Sequence, residues 1–211
     1  MNTFFLDRLN GEPHALAFAG QSTPWPVALA DQSANPMLSE ALHAHVDAAQ
    51  ALLYPVAADL LATTGRPVDL FGFEPNPARL GAAAAASASV PGIALAQLGA
   101  LLDATSLGYN PAVAKPVAVL GHSQGVLAVH MVQAIVEAGS VEAASVQIDE
   151  ILAIATLIGV AGTRQARQLG LAARHGEATP MLSVKDITRA QVDALIERVS
   201  GARGPLAVAV T

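Results

Sequence analysis

The chain contains no cysteine, which excludes disulfides, a thiolate nucleophile and any cysteine-based metal site, and suits a reducing, cytoplasmic setting. It is also short of charge. Asp, Glu, Lys and Arg make up 13% of the residues, against roughly 25% in ordinary globular chains. The eleven Lys and Arg form no block or stripe and the formal net charge is −6, so the electrostatic footprint of a nucleic-acid partner is missing. A basic amino-terminal region is lacking too. Asp7, Arg8, Asn10 and Glu12 interrupt the first apolar stretch, and no signal peptide is read there. The apolar window from Val117 to Val136 carries Gly121, His122, Ser123, Gln124 and Gly125 at its middle, where polar groups are costly in lipid. It reads as a buried strand and a buried helix, and no membrane partner is expected.

What remains is a chain of 211 residues, 53% of them apolar, long enough to bury a sizeable core within one domain plus a small appendage. His14 to Gly20, "HALAFAG", reads as a buried strand that runs into the polar turn "GQSTPW". Asn35 is a capping residue and Pro36 suits a first helical turn. Leu38, Leu42, Val46, Ala49 and Leu53 follow at helical spacing, which predicts a long helix bent at Pro55. The alanine-rich stretch "ARLGAAAAASAS" carries no assignable chemistry. A further helix is predicted to start near Pro91, with Ile93, Gln97, Leu98, Leu101 and Leu102 along it, and to end before Gly108 and Pro111.

"PVAVLG" is an unbroken apolar run that suits a central parallel strand covered on both faces, and "QGVLAVHMVQAIVEAG" is the helix after it. Another helix spans Ser145 to about Leu169, with Ile148, Ile151, Leu152, Ala155 and Ile158 in its repeat. Met181–Ile187 reads as a strand, and Thr188 with Gln191 forms a capping-box signature for the next helix. Leu206–Val210 reads as a strand. The class is α/β, with a body over residues 1–178 and the start of a smaller βαβ unit over 179–211. The stop at Thr211, directly after an apolar run, leads to the expectation that these residues are the front portion of a longer protein.

Between that strand and its helix stands Gly121-His122-Ser123-Gln124-Gly125. A bare Gly-x-Ser-x-Gly match also fits a chemically idle tight turn, but a strand before it and a helix after it favour a nucleophile elbow. The glycines allow the turn, Ser123 is thrust out at its apex, and the Gln124 amide at a helix start faces the place where negative charge would develop. His122, adjacent to the serine, points elsewhere than a general base must and is read as a packing or substrate contact. His130 reads as a satisfied buried or interfacial histidine. His43 and His45 face different ways and make a poor metal pair. No partner is evident for His14 or His175, and no metal site is expected.

In order along the chain, "GQS", "PGIALAQL", "GHSQG", "LIGVAG" and "MLSV" resemble the malonyl/acetyl-CoA:acyl carrier protein transacylase family. The likeness is greatest to the acetyltransferase domain of type I fatty acid synthases of the actinobacterial and fungal kind. The resemblance implies an α/β-hydrolase-like large subdomain with an inserted ferredoxin-like small subdomain, here only partly covered. It also implies ping-pong transfer of an acetyl starter group from acetyl-CoA to acyl carrier protein through an acyl-Ser123, with the amides of Gln21 and Gln124 as oxyanion hole. The domain itself would need no cofactor: phosphopantetheine belongs to the acceptor, and NADPH and FMN to other regions of the synthase. Coenzyme A thioester, carrier protein and sister domains would be its partners, in a homo-oligomer when complete.

The chain departs from that pattern at three points. Ser22 stands where many relatives have a second glycine, which bears on Gln21. Ile158-Gly159 stands where malonyl-loading relatives have arginine and glycine, and an isoleucine leaves a buried malonyl carboxylate unpaired; the alternative is that Ile158 is a core residue. None of the six histidines matches the family's downstream general base, without which a serine is a weak nucleophile. Two other readings remain: an esterase or thioesterase of the α/β-hydrolase kind, and a catalytically silent scaffold piece.

Overall fold

The computed structural model describes residues 8–20, 25–54, 86–168 and 187–203. It is mostly helical around a small parallel sheet, which is broadly α/β. Contacts within the chain divide it into two units, Met1–Ala172 and Ala173–Thr211.

In the first unit, strand β1 (Ala15–Phe18) pairs in parallel with β2 (Ala118–Gly121), Ala15 opposite Ala118 and Phe18 opposite Gly121. The ladder is prolonged at both ends, where the Val117 amide donates to the His14 carbonyl and the His122 amide to the Phe18 carbonyl. Parallel strands require a crossover. Here it carries helices α1 (Trp25–Ser33), α2 (Pro36–Leu53), α3 (Ala86–Ser106) and the single turn α4 (Pro111–Ala114). After β2 a short 3-10 turn, Ser123–Gly125, leads into α5 (Val126–Ala138), and α6 (Ser145–Gln168) follows.

Local chemistry sets the element ends. The Asn35 side chain accepts from the Met37 amide at 3.1 Å and Pro36 occupies the first turn, as the sequence predicts for α2. Its buried stripe is Leu38, Leu42, Val46 and Ala49. Gly139 closes α5 at φ 92, its amide bonded to the Ile135 carbonyl. The expected bend at Pro55 lies outside the described residues.

Two expectations are corrected. Helix α3 begins at Ala86 and holds Pro91 inside it rather than at its start; as the sixth residue of the helix the proline forfeits one intrahelical bond. Strand β2 is not covered on both faces, since Leu120 is 61% exposed and only β1 pairs with it among the described residues.

The core lies among the helices. Residues Val90 to Gly99 of α3 are buried without interruption, because α1, α2, α5 and α6 all pack around that helix. Ile93, Leu98, Met131, Ile135, Ile148 and Leu152 are its largest fully buried side chains. The first part of α6, Ser145–Gly162, is long and apolar enough to cross a membrane. Its buried residues Ile148, Leu152 and Ala155 instead belong to the same cluster as α3 and α5, as a core helix requires.

In the second unit, α7 (Arg189–Arg203) starts with the expected capping box. The Thr188 amide donates to Gln191 Oε1 at 2.7 Å, and the Gln191 amide donates to Thr188 Oγ1 at 3.3 Å. The strands expected at Met181–Ile187 and Leu206–Val210 lie outside the described residues, Ile187 excepted, which is not in a strand.

Candidate active site

Ser123 follows directly on β2 and adopts φ 54, one of two non-glycine residues in the left-handed region among those described. That backbone costs a serine about 1–2 kcal/mol, so the surroundings must impose it. Three contacts do. The His122 amide is tied to the Phe18 carbonyl at 3.0 Å, and the Gly125 amide to the His122 carbonyl at 2.9 Å. Gly125 then lies so close to β1 that a Cβ there would collide with the Phe18 carbonyl. Gly121 is pressed against the Gly125 carbonyl, 2.6 Å from where its own Cβ would sit. Both motif glycines are therefore required by close approach of backbone to backbone.

The turn leaves Ser123 exposed and directs the chain into α5, where the Val126 amide bonds back to the Ser123 and Gln124 carbonyls. The Gln124 amide lies at this helix start. A Cβ on Gly20 would come within 2.8 Å of Ser123 Cβ and 3.4 Å of the Gln124 nitrogen. The end of β1 thus abuts the serine and the amide that follows it. Gln21 and Ser22 come next in the chain but lie outside the described residues, as does His175.

The remaining sequence-marked residues are placed as follows. His122 is exposed, extended at φ −95 and ψ 127 just before the 3-10 turn. Ile158 is 50% exposed on α6, so it is not a core residue. The buried repeat of α6 passes through Leu152, Ala155 and Gly159 and sets Ile158 on its flank. His130 is exposed as well, which overturns the buried one of its two expected positions. It lines an open groove of about 500 Å³ between α5 and α6 that starts at Val126 and reaches Glu137 and Glu150.

Other histidines have partners that the sequence does not reveal. His14 Nδ1 donates to the Glu12 carbonyl and its Nε2 meets the Tyr109 hydroxyl, each at 2.8 Å; burial pushes the Tyr109 phenol up. His43 bonds the Ser39 carbonyl within its own helix. His45, by contrast, pairs with Asp149 of α6 at 2.6 Å. Among the described residues no histidine is hydrogen-bonded to Ser123.

Sequence reading treats Gln97 only as a repeating helix position. The structure buries it to 6% exposure and turns its amide nitrogen onto the Ala19 carbonyl at 2.5 Å. The signal was available: it is the one hydrogen-bonding side chain in the buried run from Val90 to Gly99.

A serine in a left-handed turn between strand and helix, flanked by a helix-start amide and by the end of the neighbouring strand, is arranged for acyl transfer. Residues 78–209, more than half of the chain, match the family model described as starter unit:ACP transacylase in aflatoxin biosynthesis, ACP being acyl carrier protein. The chain belongs to this family. It is accordingly an acyltransferase with acyl carrier protein as acceptor. The matched range of this starter unit:ACP transacylase holds Gln97, His122, Ser123, Gln124 and Ile158, whereas Gln21 precedes it. No curated protein matches the chain.

Proposed function

We propose that this transacylase loads an acetyl starter group from acetyl-CoA onto acyl carrier protein in a fatty acid synthase, through an acyl-Ser123 intermediate. The observation that carries the reading is the strained serine, φ 54, set beside the Gln124 amide at the head of α5. Ser123 Oγ attacks the thioester carbonyl and loses its proton to a general base. The oxyanion is held by the Gln124 amide and, from the turn after β1, by that of Gln21. Collapse expels the coenzyme A thiol. The phosphopantetheine thiol of the carrier protein then attacks the acyl-serine and releases Ser123 with its proton.

Selectivity follows from what Ile158 cannot do. It offers no cation to pair with a malonyl carboxylate, so an uncharged acyl group is preferred. His122, exposed beside the serine, is assigned a contact to the incoming acyl thioester. The same reading includes an α/β-hydrolase-like body with a ferredoxin-like insert, a cytoplasmic homo-oligomer with sister synthase domains, and no cofactor in this domain. The words "starter unit" in the family description favour priming over chain extension; the biosynthesis named there favours, as a second setting, an assembly line for a specialised metabolite.

The test is peptide mass spectrometry of the native protein after brief exposure to acetyl-CoA or malonyl-CoA. Acetyl on the peptide holding Ser123, at least about tenfold faster than malonyl, a difference of about 1.4 kcal/mol, is expected, and none on Ser123→Ala. A malonyl preference, or acetylation that survives Ser123→Ala, would sink the proposal; water outcompeting carrier protein as acceptor would make the protein a thioesterase.

A further inference from the structure

Gln97 is a costly residue for its place. It sits in the uninterrupted buried stretch of α3, where its Oε1 is buried with no hydrogen-bond partner. A leucine there would continue the apolar packing of its neighbours and leave no orphaned oxygen. What the amide supplies is one donor. Nε2 reaches across to the carbonyl of Ala19, 78 positions away in the chain.

Ala19 is the residue between strand β1 and Gly20. Its carbonyl is also one of the atoms closest to Gly125, and Gly20 abuts Ser123 Cβ and the Gln124 nitrogen. The Gln97 bond thus fixes the backbone segment that touches both the serine and the amide after it. Helix α3 packs directly on the 3-10 turn, so the donor is anchored in the core and not on a mobile surface. An oxyanion site depends on donors held within a few tenths of an ångström of a developing charge.

We infer that Gln97 is a positioning residue for acyl transfer: its side-chain amide sets the Ala19–Gly20 backbone against Ser123 and Gln124, and so fixes the Gln124 amide relative to the serine. The inference rests on the reading of Ser123 as the acyl-accepting nucleophile. It predicts an effect on the chemical step and not on donor binding, since Gln97 itself is buried away from an incoming thioester.

The experiment compares wild type, Gln97→Leu and Gln97→Glu in the native protein by single-turnover acylation of Ser123 with acetyl-CoA and by fluorophosphonate labelling of the same serine. Gln97→Leu is expected to lower the limiting acylation rate and the labelling rate by at least about tenfold, as a fraction of the roughly 100- to 1,000-fold that loss of a whole oxyanion donor costs. The half-saturating acetyl-CoA concentration should stay the same. Gln97→Glu keeps the shape but turns a carboxylate onto the Ala19 carbonyl. Its rate relative to wild type should rise as pH falls into the range where a buried carboxyl takes up a proton and regains a donor.

Full-rate acylation by Gln97→Leu, a loss confined to half-saturation, or a pH-independent Gln97→Glu ratio would overturn the inference. So would unfolding of both variants, which would make the residue purely structural. A wild type that takes the fluorophosphonate but no acetyl refutes the acetyl-loading function alone, and Gln97 is then judged on labelling rates. A wild type that takes neither reagent removes the nucleophile and the inference with it.

Discussion

Ser123 pays for its position in backbone energy, and that cost is measurable separately from chemistry. At φ 54 a side chain is disfavoured and glycine is not. Ser123→Gly is expected to unfold at higher urea than Ser123→Ala, by about 1 kcal/mol, with both devoid of acyl-enzyme. Equal stability of the two would mean that the turn relaxes when the hydroxyl is lost. The strain itself was legible in the sequence, because Gly121 and Gly125 flank the serine between an apolar run and a helix. What was not legible is which backbone each glycine approaches. The Phe18 carbonyl that excludes a Cβ from Gly125 is more than a hundred positions away, and only the pairing of β1 with β2 brings it there.

Among the elements, α2 and α6 are joined by a specific polar bond, His45 to Asp149 at 2.6 Å, with 11% and 14% of the two side chains exposed. A nearly buried bond of this kind to an ionisable group contributes about 1.5–3 kcal/mol. Asp149→Ala should therefore cost about that much in urea unfolding, and in a double-mutant cycle His45→Ala should add little to it. Additive losses would show that the two side chains do not act as a pair. Helical periodicity foresaw both helices, and Asn35 marked the start of α2 as the Thr188–Gln191 box marked that of α7. It could not join His45 to Asp149, since a period of 3.6 reports which face of a helix is apolar and not which helix lies opposite. The same limit explains Ile158, which sequence reading placed in the repeat of α6 and the fold leaves half exposed.

At the scale of the molecule, the first unit is built around α3, whose Ile93 is fully buried within the cluster shared with α5 and α6. Ile93→Ala should lower the unfolding free energy by about 2–5 kcal/mol, with the urea dependence of that free energy unchanged. A loss under about 1 kcal/mol would place the true core elsewhere. The start of α3 was placed near Pro91 by the sequence because a proline suits a first helical turn, whereas the helix begins at Ala86 and its burial from Val90 to Gly99 sustains it through the proline. By itself the sequence determined the α/β class, the helix caps, the strand-turn-helix around Ser123 and the absence of cysteine chemistry, all of which depend on residues near one another in the chain. Only the tertiary structure decided that Gln97 holds the Ala19 carbonyl, that β1 closes on the serine turn and that Leu120 stays exposed, because these are contacts between segments whose proximity no local pattern encodes.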